Sequence, residues 1–388
     1  MKSAMINAVI HALSMAFAMG WEILWPLILG FALSAVVQAV VSHREMARLL
    51  PDDGPSSIAT ALALGAASSS CSYAAVALAR SLFRKGANFT AAMAFEMAST
   101  NLVAELSIIL IVLMGWRFAL VEFVGAPIMV ALLVFMFRMF LKPQLVSEAK
   151  TQADRGILGR MEGHAEMDMS VANDAPLWKR IISYRGMTAI SHYFVMDWAA
   201  VWLDIVGGLL IAGALAAWVP NTFWQSLFLV EHPLLGKLWG PFVGPFVAII
   251  SFVCSVGNIP LAAVLWNGGI SFGGVIAFIF ADLIVLPILD IYRKYYGWKM
   301  AAFLLITFYF AMAVAALIVE GVFGALDLIP SEHQALVIEA SISWNYTAWL
   351  NIVFLIIAGM LLWRFVTTGG VRMLRMMNRP ASSAHAHR

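Results

Sequence analysis

The chain has 388 residues, of which 62% are hydrophobic and 12% charged, with a formal net charge of +2. A soluble domain carries about 25% charged residues, so this composition excludes an ordinary water-soluble enzyme and requires most of the chain to face lipid or other apolar helices. The apolar runs have helical length, which excludes a porin-type barrel of short alternating strands, and the small net charge excludes nucleic acid as a partner.

The expected fold is therefore an all-α polytopic membrane protein. Residues 4–20 are apolar with His11 and Ser14 interspersed and read as an interfacial or packed helix. Trp21, Glu22 and Trp25 mark a membrane boundary, and 23–41 is a bilayer-length run at about 1.5 Å per residue. Pro51, Asp52, Asp53, Gly54 and Pro55 form a turn composition. Residues 57–82 are long enough to span, but Ser68, Ser69, Ser70, Cys71 and Ser72 at their centre are poor helix formers whose side chains can serve a broken backbone. Spans follow at 92–114 and 120–141. The polar stretch 142–185 reads as a loop or small helical insert. Residues 188–218 span, 220–239 connect, and 241–266 form a second broken element, in which Gly257 and Pro260 interrupt the helix. Residues 272–289 and 300–319 span, 320–343 form an acidic connection, and 347–366 form the last span before a tail carrying Arg372, Arg375 and Arg379.

The two broken elements are copies of each other. Placing Cys71 on Cys254 sets a register of 254 − 71 = 183, which puts Ser72 on Ser255, Leu78 on Leu261, Gly86 on Gly269, Phe89 on Phe272 and Phe95 on Phe278 without a gap. Only two cysteines occur in the chain, and they occupy equivalent places in this internal duplication. If both elements crossed the bilayer, Arg44 and Arg48 would lie opposite Arg80, Arg84 and Lys85; if each enters and returns, the basic clusters share one face, as the positive-inside rule requires. The expectation is an inverted repeat of span, broken re-entrant hairpin, span, span, plus a C-terminal span. Residues 1–141 form the first repeat with its tip near Cys71, 142–187 a cytoplasmic loop, 188–320 the second repeat with its tip near Cys254, and 321–388 the outer connection, last span and basic cytoplasmic tail. Opposed broken helices meeting at mid-membrane point to an alternating-access transport site.

The runs Cys254-Ser255-Val256-Gly257-Asn258-Ile259-Pro260, Gly268-Gly269-Ile270-Ser271-Phe272-Gly273-Gly274 and Phe280-Ala281-Asp282-Leu283-Ile284 resemble the second signature of the arsenical permease family, the ArsP-type predicted permeases related to the YraQ-like group. The resemblance covers most of the chain and implies efflux of trivalent organoarsenicals across the cytoplasmic (inner) membrane; no cofactor is expected. Many relatives carry Cys-Ser-Cys, whereas Tyr73 and Val256 stand where the second cysteine would be, which departs from a three-thiol site.

Trivalent arsenic is soft and prefers thiolates, so Cys71 and Cys254 are the first candidates for substrate ligands, with Ser72, Ser255, Tyr73, Asn258 and Pro260 around them. Against this stands the ordinary role of cysteine as a small buried residue at a helix break. Acidic groups inside spans are costly and mark function, which selects Glu96, Glu105, Asp197, Asp204 and Asp282, with Ser99 and Asn101 as polar companions, for proton coupling or a polar cavity. Their plainer role is to hydrogen-bond a broken helix. His164, Met167 and Met169 make a weak soft-metal site in a loop whose ordinary reading is a solvated connection. No phosphate-binding Gly-rich Lys-Ser/Thr loop occurs, which argues against direct use of ATP. Other readings are a permease for a different anion or metal species, and a membrane thiol oxidoreductase, which the lack of a Cys-X-X-Cys pair disfavours.

Overall fold

The computed structural model describes residues 2–40, 48–68, 72–154, 169, 171, 177–251, 255–333, 335 and 346–377. Among them every regular element is helical. The first half runs α1 (Lys2–Val40), α2 (Pro55–Ser68), α3 (Ser72–Arg84), α4 (Phe89–Asn101), α5 (Ala104–Met114), α6 (Trp116–Phe140) and α7 (Pro143–Asp154). The short α8 (Leu177–Ile182) leads into α9 (Tyr184–Trp218), α10 (Asn221–Leu227), α11 (Pro233–Ser251), α12 (Ser255–Asn267) and α13 (Phe272–Phe280). A 3-10 turn (Ala281–Ile284), α14 (Leu286–Tyr296), α15 (Trp298–Ala325), α16 (Tyr346–Thr367) and α17 (Gly370–Met377) complete the order.

Among the described residues four stretches are long and apolar enough to cross a membrane, Phe89–Met114, Trp116–Phe140, Trp298–Ala325 and Thr347–Thr367, and two bent pairs raise the number to six. On α16, Trp349, Val353, Ile356, Met360 and Trp363 are exposed. Such a surface suits hydrocarbon and not water.

Residues 2–40 form one helix where the sequence suggests an interfacial piece and a span. It bends by 48° between Ile6–Ala18 and Ile23–Leu33. At the bend Asn351 enters the backbone ladder: its Oδ1 accepts from Trp25 N at 2.9 Å and its Nδ2 donates to Trp21 O at 2.8 Å. One side chain thus serves both members of an i to i−4 pair that the helix has opened.

The 183-residue register extends to the elements. Helix α3 at 72–84 maps onto α12 at 255–267, and α4 at 89–101 maps onto α13 plus the 3-10 turn at 272–284. Packing repeats as well, since α2 lies on α4 as α11 lies on α13, and α5 on α6 as α14 on α15. Two counterpart pairs, α1 with α9 and α6 with α15, pack antiparallel. Along α1 and α9, Trp218 Nε1 donates to Ala8 O at 3.1 Å, a Cβ at Gly213 would lie 2.6 Å from Ala12 O, and one at Gly20 would lie 3.2 Å from Leu209. Along α6 and α15, Phe137 meets Phe303 with ring centroids 5.3 Å apart, while Gly125 faces Val319.

In each broken element the start of the first arm lies beside the end of the second. Asn88 N donates to Leu50 O at 2.8 Å, joining the entry to α2 with the exit from α3. At the same base Ser57 Oγ and then Gly54 N donate to Asp52 Oδ1, holding its carboxyl below the usual carboxylate range. In the second copy, a Cβ at Gly240 would collide with Ser271 Oγ at the start of α13, and Gly269 faces Val230. The two bases lie at opposite ends of α15: Arg138, bonded to Asp53 of the first base, follows Phe137 at the Phe303 end, whereas Gly273 N of the second base donates to Glu320 at 3.1 Å.

The predicted spans 92–114 and 272–289 both contain a break that the sequence reading passes over. Val103 between α4 and α5 is extended at φ −114° and ψ 144°, and Val285 between the 3-10 turn and α14 is extended at φ −64° and ψ 149°. Pro287 at the start of α14 suits a helix entry, since its missing N–H is one the first turn leaves unbonded. Part of the polar stretch 142–185 is the helix α7, which clamps the first hairpin. Lys150 Nζ donates to Phe83 O and Arg84 O at the end of α3, and Arg80 Nη2 donates to Ala153 O at the end of α7. Each cation thereby serves carbonyls at a helix C-terminus.

Candidate functional site

The breaks bring polar groups of both halves together in the core. Ser72, the first residue of α3, is buried, and its hydroxyl donates to Asp282 Oδ2 at 2.8 Å across 210 positions of sequence. Asp282 sits in the 3-10 turn just before the extended Val285, so the start of one hairpin's return arm is held against the break of the other repeat. Glu96, in the middle of α4, accepts a hydrogen bond from the Tyr292 hydroxyl on α14, a second polar link between the halves. Glu122 of α6 is fully buried nearby, and the charge of Asp282 acts on both Glu96 and Glu122. Tyr292 packs on Tyr296 at 6.3 Å and edge-on to Phe308 at 6.1 Å, which closes the cluster with aromatic rings.

The other candidates divide. Ser99 Oγ donates to Glu96 O at 2.8 Å, and Asn101 Nδ2 donates to Met97 O and Thr100 Oγ1, both at 3.0 Å. These two therefore serve the end of α4 ahead of the break, the plainer of the roles open to them. Glu105 packs its Cβ against Gly30 of α1, and Asp197 of α9 accepts from Gln38 Nε2 of α1 at 3.2 Å, so each ties its own helix to α1. Asn258 and Pro260 lie buried in α12, and no partner reaches either amide atom of Asn258 among the described residues. Tyr73, Ser255 and Asp204 are residues of α3, α12 and α9. Cys71, Cys254, His164 and Met167 lie outside the described residues; Met169 N donates to Tyr193 Oη at 2.8 Å. No group of three or more His, Cys, Asp or Glu side chains that could hold a metal ion occurs among the described residues.

Two members of the cluster are absent from the sequence reading. Glu122 carries the same signal as Glu96, an acid inside an apolar run, but stands five positions after Arg117, where it resembles an interfacial residue. Tyr292 gives no local signal, because its partner is 196 positions away.

A cavity of about 370 Å³ opens at the base of the second hairpin, with Lys237, Ser271, Glu320 and His333 among its lining. A strap closes one side: His333 stacks on Trp266 at 3.9 Å, while Asn267 Nδ2 donates to Ala335 O at 3.1 Å and Asn267 Oδ1 accepts from Ala335 N at 2.8 Å. Burial holds the His333 ring below the usual imidazole range.

Membrane-length helices with exposed apolar faces, duplicated helix breaks and a buried polar cluster between the repeats are the build of a multi-pass membrane transporter. The chain belongs to the ArsP_1 family of predicted permeases, which matches residues 8–321. It is 61% identical over 348 residues to the protein named "Putative permease Rv2963" from Mycobacterium tuberculosis (strain ATCC 25618 / H37Rv), covering 90% of this chain and 86% of that one. No solved structure matches the chain.

Proposed function

We propose that this permease exports trivalent organoarsenicals or a similar soft metalloid compound across the cytoplasmic membrane by proton-coupled alternating access, with Cys71 and Cys254 as thiol ligands. The observation that carries the reading is the Ser72–Asp282 hydrogen bond, because the residue following Cys71 is thereby fixed at the junction of the two repeats. In sequence each cysteine precedes a helix of thirteen residues, α3 or α12, by one position, and a helix N-terminus favours the thiolate over the thiol. A methylated trivalent arsenical has two exchangeable positions, which two thiols would fill. The antiparallel counterparts and the hairpin bases at opposite ends of α15 support an inverted repeat, the geometry that lets one site open to either side. On that reading the cavity at the second base is the outer mouth, and Glu96 and Asp282 take part in proton coupling.

The test is accumulation of a trivalent methyl arsenical in everted membrane vesicles by the protein and by Cys71→Ser and Cys254→Ser. Loss of accumulation by about tenfold or more in each variant is expected, since a hydroxyl is a hard ligand with little affinity for arsenic(III). Undiminished transport by both variants discards the thiol-ligand reading.

A further inference from the structure

Glu122 is the one carboxylate of the cluster with no role so far. It has no exposed surface, and among the described residues no hydrogen-bond donor reaches either of its oxygens. An ionised carboxylate there would lack both water and a partner, the arrangement that low-dielectric interiors penalise most. The elements packed against α6 bring Glu96 on α4, Glu105 on α5, and Lys299, Tyr309 and Glu320 on α15, while α13 brings no titratable side chain. Among these groups and the 3-10 turn, Asp282 is the one whose charge acts on Glu122, and Phe280, two positions before Asp282, packs on Gly125, three positions after Glu122. Glu96 is taken by the Tyr292 hydroxyl, and Asp282 by the hydroxyl of Ser72.

We propose that Glu122 holds the coupling proton of this permease and exchanges it with Asp282. The inference rests on the permease reading and deepens it by naming the proton-carrying residue. With Ser72 bonded to Asp282, Glu122 is the neutral acid and Asp282 the carboxylate. When the first hairpin withdraws Ser72, the O–H bond on Glu122 breaks and one forms on Asp282, leaving a Glu122 carboxylate that only a water-admitting conformation can support. Release of the proton from Asp282 to one side and reprotonation of Glu122 from the other return the cluster to its starting state, so the cycle moves one proton and consumes no other reactant.

Two measurements on the full chain test this. Infrared difference spectra of the purified protein in lipid, taken across a pH titration, should contain a carboxylic-acid carbonyl component that Glu122→Gln removes and that Glu148→Gln, at an exposed carboxylate, leaves in place. In everted vesicles with an imposed pH gradient, Glu122→Gln should lose at least tenfold of the gradient-driven accumulation of a trivalent methyl arsenical while keeping gradient-independent exchange. If Glu122→Gln fails to fold, Glu122→Asp decides, with the carbonyl component shifted and not lost. An unchanged infrared component, or an unchanged gradient dependence, overturns the proposal. Should the unaltered protein move no arsenical, the permease reading fails on substrate, and the infrared result still decides the state of Glu122.

Discussion

Tyr292 and Glu96 join the two halves through one donor and one acceptor, and both are buried away from water. The second oxygen of Glu96 has no partner among the described residues, so the tyrosine hydroxyl carries the whole of its hydrogen bonding there. Tyr292→Phe keeps the ring against Phe308 and Tyr296 but leaves the carboxyl unserved, and a buried group left so costs about 1–3 kcal/mol. The expected result is a lower midpoint of thermal unfolding in detergent, and an unchanged midpoint would mean that the bond contributes nothing. At this scale the sequence is informative where chemistry is local. An acid in an apolar run is conspicuous, which selects Glu96 and Asp282, and Ser99 and Asn101 carry side chains suited to finishing their own helix. It fails where burial is decided by distant packing: Phe280 closing on Gly125 buries the α6 face near Glu122, and neither residue's neighbours in sequence indicate it.

The duplication was legible among the elements because backbone requirements leave marks in composition. Gly86 and Gly269 are equivalent in the register and both adopt positive φ, 107° and 94°, at the turn that follows the return arm, a conformation that residues with a Cβ resist. Gly257 and Pro260, expected to interrupt the second element, lie inside the continuous helix α12 instead, so the register common to both copies, and not the breaker residues, is what relates them. The breaks at Val103 and Val285 were less legible, since a β-branched apolar residue is as common in a continuous span as at an extended link. Close packing of the entry arms rests on small residues. A Cβ at Gly65 would lie 2.6 Å from Phe95 O, and one at Gly244 would lie 2.3 Å from Gly274 O; both neighbours are backbone and cannot rotate away. Gly65→Ala and Gly244→Ala should therefore push α2 from α4 and α11 from α13, each destabilising by about 1–3 kcal/mol. Gly207→Ala in α9, where nothing lies within 4 Å of the added atom, should leave the unfolding midpoint unchanged or slightly raised. Equal effects at all three positions would show that the entry arms are not close-packed.

For the molecule as a whole, the repeat makes a statement about sidedness that no single element contains. One hairpin base holds Asp53 with Arg138, and the other holds Lys237 beside Glu320, at opposite ends of a 28-residue helix about 42 Å long. The α15 residues that locate the two bases, Phe303 and Glu320, stand about 26 Å apart along the helix, close to the hydrocarbon core of about 30 Å, so the two bases belong on different sides of the bilayer if α15 crosses it. Arg84, Lys150, Lys294 and Lys299 gather with α7 near the first base, so the proposed topology, in which basic residues stay inside, puts that base on the cytoplasmic side. Single cysteines placed by Asp53→Cys and Lys237→Cys, each in a chain also carrying Cys71→Ser and Cys254→Ser, report this directly with a membrane-impermeant maleimide. In intact cells the reagent should label position 237 and spare 53; in everted vesicles the preference should reverse. Labelling of both positions from one side would leave the two broken elements entering together. A site between them would then have a single mouth, and alternating access through the Ser72–Asp282 junction would have no second side to open to.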